Sequence, residues 1–251
     1  MKVIVVTQAR SGSTRLPNKV LKEINNKSLL ELHIERIKKA NTINDLFIAT
    51  TTHSADEQIV NLAKRLNVKC TQGSEQDVLD RFYQTVKNEN ADFIVRLTSD
   101  CPLIDPVLLD EVITIAKQKD LDYYSNGLIE SFPDGQDIEI FKFSALEKAW
   151  NEATLESERE HVTPYIRKHG SFAGGHIFKS ENHLSKVNYN KVRLTVDEPN
   201  DFLVIQQIIE DLGENESWET YSKYYLENEA IKSLNTNITR NEGYLKSIKN
   251  D

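Results

Sequence analysis

Short apolar runs alternate with stretches of helical periodicity through the first half of the chain. Lys2-Val3-Ile4-Val5-Val6-Thr7 has the length and composition of a buried strand. Leu29, Leu30, Leu32, Ile34 and Ile37 then recur at helical spacing, and Leu46-Phe47-Ile48-Ala49-Thr50 reads as a second strand. Ser54-Ala55-Asp56-Glu57 has the form of a capping box, predicting a helix through about Leu66. Asn67-Val68-Lys69-Cys70 reads as a third short strand. Val78, Leu79, Phe82 and Val86 share one helical face between Asp77 and Asn88. Phe93-Ile94-Val95-Arg96-Leu97 is a fourth strand, and Pro106 opens a helix carrying Val107, Leu108, Val112 and Ile115.

The second half is more mixed. Ile138-Glu139-Ile140-Phe141 alternates like a strand, while residues 144–153 and 158–168 read as single helices. Val192-Arg193-Leu194-Thr195-Val196 reads as a strand ending at Asp197, followed by a helix opening at Glu198-Pro199. Beyond Glu214 the chain is polar, with Trp218, Tyr221, Tyr224 and Tyr225, and reads as a helical extension whose last ten or so residues fray. The division is therefore 1–213 for the main domain and 214–251 for the extension. Strand–helix alternation at this spacing predicts an α/β fold with a mainly parallel sheet, and ligands of such sheets sit beyond the carboxyl ends of the strands.

The first strand empties into Gln8-Ala9-Arg10-Ser11-Gly12-Ser13-Thr14-Arg15-Leu16-Pro17-Asn18-Lys19, which holds three cations, three hydroxyls, a glycine and no carboxylate. Backbone N–H groups and hydroxyls suit phosphate oxygens, while arginine and lysine neutralise their charge. The residue order fits neither Gly-x-x-x-x-Gly-Lys-Ser/Thr nor Gly-x-Gly-x-x-Gly. Asp100 and Asp197 each end an apolar run and are closely followed by proline. Two parallel strands in one sheet would aim both carboxylates at the cationic loop. That arrangement suits Mg²⁺, which is commonly held by one or two carboxylates and substrate phosphates. The alternative is that each aspartate caps the helix after it.

Composition narrows the picture only a little. A chain of 251 residues with 39% hydrophobic content builds a real core, and a net charge of −8 argues against general nucleic-acid binding without excluding a nucleotide on a local basic loop. No apolar run has transmembrane length, the N-terminal run is too short for a signal peptide, and Cys70 and Cys101 show no metal spacing. A cytoplasmic location with free thiols is the expectation.

The run from Gln8 to Leu21 resembles the Ala-Arg-x-x-Ser-x-Arg-Leu-Pro-x-Lys-x-Leu signature of cytidylyltransferases that make CMP-activated acidic sugars, closest to the spore-coat polysaccharide branch. Four further blocks, at 96–105, 132–141, 158–165 and 193–199, follow in the order of that branch, so the resemblance spans roughly residues 1 to 212. It implies a Rossmann-like, glycosyltransferase A-type nucleotidyltransferase fold, CTP as donor, Mg²⁺ as cofactor and pyrophosphate as product. Arg10, Ser13, Arg15 and Lys19 would hold the triphosphate, with Arg10 and Lys19 stabilising the transition state. Asp100 and Asp197 would hold the metal, and Arg81 would lie near the nucleoside. Glu139, Arg159, His161 and Arg193 would face a small anionic acceptor, although the same residues also read as ordinary charge pairs around a helix start and beside Asp197. A glycosyltransferase would usually show an Asp-x-Asp at its metal site, which Asp100-Cys101-Pro102 lacks. A non-catalytic nucleotide-binding homologue remains the other alternative. The aromatic extension suggests a homodimer built through the second half of the chain.

Overall fold

The computed structural model describes residues 1–248 and 251. In chain order the strands are β1 (Val3–Gln8), the two-residue strands β2 (Glu23–Ile24) and β3 (Lys27–Ser28), β4 (Asp45–Thr51), β5 (Lys69–Gly73), β6 (Phe93–Thr98), β7 (Tyr123–Ser125), β8 (Glu139–Lys142) and β9 (Ser180–Asn182). The helices are α1 (Leu29–Ile37), α2 (Glu57–Arg65), α3 (Val78–Val86), α4 (Pro106–Gln118), α5 (Phe143–Glu152), α6 (Glu156–His161), α7 (Pro164–His169), α8 (Pro199–Leu212), α9 (Trp218–Glu227), α10 (Glu229–Asn235) and α11 (Glu242–Ile248). The main sheet runs β5-β4-β1-β6-β8-β7-β9.

β1 is central and apolar on both faces because both are covered. Val3 and Val5 pack with residues of α1, α2 and α4, whereas Ile4 and Val6 pack with α3 and α5. β4, β1 and β6 are parallel, and β8 enters antiparallel to β6. That reversal matters for the site. Gln8 pairs with Thr98, Arg96 pairs with Glu139, and Glu139 pairs with Ser125, so the carboxyl ends of β1, β6 and β7 meet the amino end of β8 along one edge.

Four local expectations are corrected. Ser54 does not cap α2: a 3₁₀ turn at Ser54–Asp56 precedes the helix, and Asp56 turns inward to accept from Ser11 N at 2.7 Å and Ser11 Oγ at 2.6 Å. The third strand begins two residues later than expected, because Asn67 takes a left-handed φ of 51° in the turn leaving α2. The single helix expected over 158–168 is two, α6 and α7, broken where Val162 takes φ 72° before Thr163-Pro164. Residues 192–196 are extended but join no sheet, since β1 and β8 already occupy both sides of β6. The segment instead bridges Asp134 through Arg193, and Val196 N donates to Asp100 O at 2.8 Å.

The segment after Gly213 is tied to the rest of the molecule. Tyr221 and Tyr225 are fully buried, and Trp218 lies 5.2 Å from the Phe132 ring and 5.3 Å from that of Tyr189. Arg36 donates to the carbonyls of Ile104, Glu214 and Glu216. Three of the aromatics that suggest packing on a second copy are thus buried in their own chain. The stretch expected to fray is helical over Glu242–Ile248, and for residues 249 and 250 the expectation lies outside the described residues.

One buried group makes stability depend on pH. His33 on α1 sits 3.0 Å from Thr7 Oγ1 and 2.8 Å from Cys101 O with no exposed surface. Burial pushes its pKa down to about 4, against the opposing pull of the Cys101 carbonyl. The unfolded chain therefore binds the extra proton first. The contribution of neutral His33 is complete above about pH 6.5 and is lost as pH falls toward 4, roughly 2 kcal/mol of it by pH 5. Imidazole NMR at pH 5 is expected to show His33 still neutral; protonation of His33 above pH 6 would contradict this.

Candidate active site

The cationic loop is shaped by its own backbone. Ser11 O accepts from Ser13 N at 2.8 Å and Asn18 N at 3.1 Å, closing the loop, and Asp56 braces Ser11 from outside. Asn18 takes a left-handed φ of 55° and starts a 3₁₀ turn at Lys19–Leu21. Leu16 and Val20 are buried, so the apolar residues of this segment fix the direction of the cations.

Lys19 reaches the centre of the site. Its ammonium lies 2.8 Å from Asp100 Oδ2 and 2.7 Å from Asp197 Oδ1. Neither aspartate caps a helix. Asp105 caps α4, accepting from Val107 N and Leu108 N, and Asp201 covers the start of α8, accepting from Asp197 N and Glu198 N. Burial opposes ionisation of Asp100, but the Lys19 ammonium holds its carboxyl well below the usual range; the same carboxylates push the Lys19 pKa up against burial. Arg15 lies 3.0 Å from Asp197 Oδ1, and Arg10 lies 3.1 Å from Glu75 Oε1.

A two-lobed cleft opens over this edge of the sheet. The smaller lobe, about 410 Å³, is lined by Arg10, Ser13, Arg15, Lys19 and Arg81 among others. The larger, about 910 Å³, is lined by Arg96, Glu139, Thr163, Arg167, Arg240 and Tyr244 among others. Gln8, Arg15, Thr98, Asp100, His161 and Asp197 border both, so the aspartate pair marks their junction.

Comparison with known proteins shows the family of the chain. Residues 4–198 match the family described as Cytidylyltransferase. The chain belongs to the cytidylyltransferase family. Its members are CTP-using nucleotidyltransferases, and its fold is the Rossmann-like nucleotidyltransferase fold. An uncharacterized protein of Methanocaldococcus jannaschii is 36% identical, the match covering 95% of this chain and 96% of that one. The spore coat polysaccharide biosynthesis protein SpsF of Bacillus subtilis is 30% identical over 84% of this chain and 88% of its own. A cytidylyltransferase structure from Leptospira borgpetersenii superposes with a TM-score of 0.86 at 32% identity, covering 95% of this chain and 98% of that one.

Within this cytidylyltransferase the five residues expected at the nucleotide line one lobe together. Arg81 is buried, donates to Ser74 O at 2.7 Å and leaves its Nε without a partner; burial and then the nearby Arg10 push its pKa down to about 10. Of the four residues expected at the acceptor, Glu139 and His161 line the larger lobe and two do not line either lobe. Arg159 faces α3, with Nε 2.9 Å and Nη2 2.6 Å from Asp77 Oδ2, because the break at Val162 turns α6 away from α7. Arg193 is buried behind Asp197 and contacts Asp134 at 2.6 Å, Asp201 at 2.8 Å and Asp197 at 3.3 Å. It positions a site carboxylate. Arg96, Arg167 and Arg240 line the cleft, and the sequence reading gives none of them a role there.

Glu242 at the start of α11 lies 3.3 Å from Arg15 Nη1, where a phosphate oxygen of the cytidylyltransferase's donor would compete with it. Glu242→Gln is expected to tighten CTP binding about two- to fivefold, since a partly exposed ion pair contributes up to about 1 kcal/mol. Unchanged or weaker CTP binding by calorimetry would contradict that competition.

Proposed function

We propose that the protein transfers CMP from CTP to a small anionic acceptor, an acidic sugar or a phosphorylated or phosphonate relative of one, and releases pyrophosphate. The observation that carries the reading is the convergence of Lys19, Asp100 and Asp197 at the junction of the two lobes. Arg10, Ser13, Arg15 and Lys19 bind the triphosphate in the smaller lobe, with Arg81 toward the nucleoside. An acceptor hydroxyl or phosphate oxygen entering from the larger lobe attacks the α-phosphorus, a hydroxyl giving up its proton to water. The new oxygen–phosphorus bond forms as the bond to the bridging oxygen breaks, and the electron pair leaves with pyrophosphate. Arg10, Arg15 and Lys19 stabilise the charge that builds on that oxygen more than they stabilise bound CTP, which is the condition for acceleration.

The donor set fits a divalent cation. Two carboxylates already share one cation, the Lys19 ammonium, and hard oxygen ligands from one or two carboxylates plus phosphates are what Mg²⁺ takes. Among the described residues no group of three His, Cys, Asp or Glu gathers to hold a metal, so substrate oxygens would complete the shell. Bound there by Asp100 and Asp197, Mg²⁺ would neutralise phosphate charge. Arg193 holds Asp197 in place for that role, and Lys19 keeps Asp100 ionised.

The product serves a cell-surface or spore-coat polysaccharide, made in the cytoplasm by a homodimer. Among the described residues no helix is long and apolar enough to cross a membrane. The test is pyrophosphate release from CTP and Mg²⁺ with a panel comprising 3-deoxy-manno-octulosonate, a sialic acid, sugar phosphates and a phosphonate. A CMP conjugate by mass spectrometry, formed in step with pyrophosphate, is the expected result. Turnover only with a different nucleotide, or pyrophosphate without a conjugate, would overturn the reading.

A further inference from the structure

Four guanidinium groups face the larger lobe, and three have anionic partners. Arg15 lies on Asp197, Arg96 donates to Glu139, and Arg240 Nη2 donates to Asp137 at 2.6 Å and Nη1 to Phe132 O at 3.1 Å. Arg167 on α7 differs. Among the described residues its half-buried guanidinium makes no hydrogen bond and no close ion pair; the Tyr244 ring lies 5.8 Å away, and the carboxylates of Glu139 and Asp137 act on it only through space. Its acidic neighbours favour the charge but take none of its N–H donors. Glu139 is already engaged by Arg96, Tyr123 and Thr163, and Asp137 by Arg240.

The guanidinium keeps its N–H donors unused at the wall of the cleft, and its planar fork matches the two oxygens of a carboxylate or phosphate. Its position gives that donor set a use. Arg167 lines only the larger lobe, whereas Arg10, Lys19 and Arg81 line only the smaller one. An oxyanion on Arg167 therefore does not compete with the triphosphate. Arg96 and Arg240, whose buried Nε atoms have no hydrogen-bond partner, line the same lobe. Resting on the reading of this lobe as the acceptor site, we propose that Arg167 is the anchor for the acceptor's acidic group, with Tyr244 of the C-terminal helix beside it. Arg159 and Arg193, spent on internal carboxylates, have no part in that anchor.

The shared chemistry is a compact oxyanion, and its source is separable by experiment. The protein, filled with α,β-methylene-CTP and Mg²⁺ to occupy the triphosphate lobe, is titrated with pyruvate, inorganic phosphate and a neutral methyl glycoside. Arginine Nε–Hε NMR signals are followed, and that of Arg167 is assigned from Arg167→Lys. The expected result is a saturable shift of the Arg167 signal with one anion and none with the glycoside. Pyruvate marks a carboxylate acceptor and phosphate a phosphorylated one. Arg167→Met is expected to weaken that anion about tenfold or more while CTP affinity stays within about twofold, and Arg167→Lys to recover part of the loss. No shift at Arg167 with either anion, or equal anion affinity in Arg167→Met, would overturn the proposal. Failure of CTP itself to bind, read from the Arg15 signal, would instead strike the donor assignment.

Discussion

Replacing Lys19 with methionine is expected to lower kcat/KM for CTP by about a hundred- to a thousandfold, the scale on which single charge-stabilising donors act in transition states. The ammonium bridges Asp100 and Asp197, the aspartate pair that marks the junction of the two lobes, from the side of the smaller lobe. With the triphosphate in the smaller lobe, as proposed, that ammonium is placed to absorb charge as pyrophosphate leaves. The fold is expected to suffer less. Both aspartates keep roughly a quarter of their side-chain surface exposed, at 24% and 23%. Water screens their mutual repulsion, and the loss is about 1–3 kcal/mol. Steady-state pyrophosphate release and a thermal melt of the same preparation separate the two effects. A variant that melts far lower yet keeps full activity would show that Lys19 only braces the aspartates.

Arg193→Met is expected to do the reverse, with the larger loss in stability. Arg193 is 5% exposed, and of its three carboxylate partners Asp201 has no exposed surface and Asp134 is 9% exposed. Its removal leaves buried charge uncompensated, a change that costs about 3–5 kcal/mol. At about 2–4 °C per kcal/mol for a chain of this size, the midpoint should fall by roughly 10 °C. Asn235 adds to the network by donating to Asp201 at 2.9 Å, so the α10 contact is expected to loosen with it. Turnover should fall as well, because Asp197 loses the group that aims it, and Arg193→Lys should recover little, since Asp201 is gripped through two nitrogens. A midpoint within 2 °C of the parent would contradict the account.

What could be read from the chain depended on how local the determining contacts are. That Arg10, Ser13, Arg15 and Lys19 gather on one lobe is legible because a buried strand fixes where their loop begins, and Leu16 and Pro17 punctuate it. Asp100 was legible for the same reason. Asp197 was placed correctly beside the loop for a partly mistaken cause: its segment joins no sheet, and Asp134, Asp201 and Arg193 hold it instead. Arg159 and Arg167 show the limit most clearly. One continuous helix would carry both, but Val162 breaks it and sends the first toward Asp77 and the second to the cleft. Pro164 was the available signal, since the residue before a proline disfavours helix. Arg96 was hidden inside an apolar strand, and nothing near Arg240 in sequence points to the Asp137 it meets across the fold. The swap of β8 into the middle of the sheet, which brings Glu139 beside Arg96, is a tertiary choice that periodicity does not encode.

The most direct test of the central claim is calorimetric titration of the protein with CTP, UTP, ATP and GTP in Mg²⁺. The account expects CTP to bind at least roughly tenfold more tightly than the other three, a preference of about 1.4 kcal/mol. It also expects removal of Mg²⁺ to weaken CTP. Equal affinity for all four nucleotides, or no binding of CTP, would contradict it.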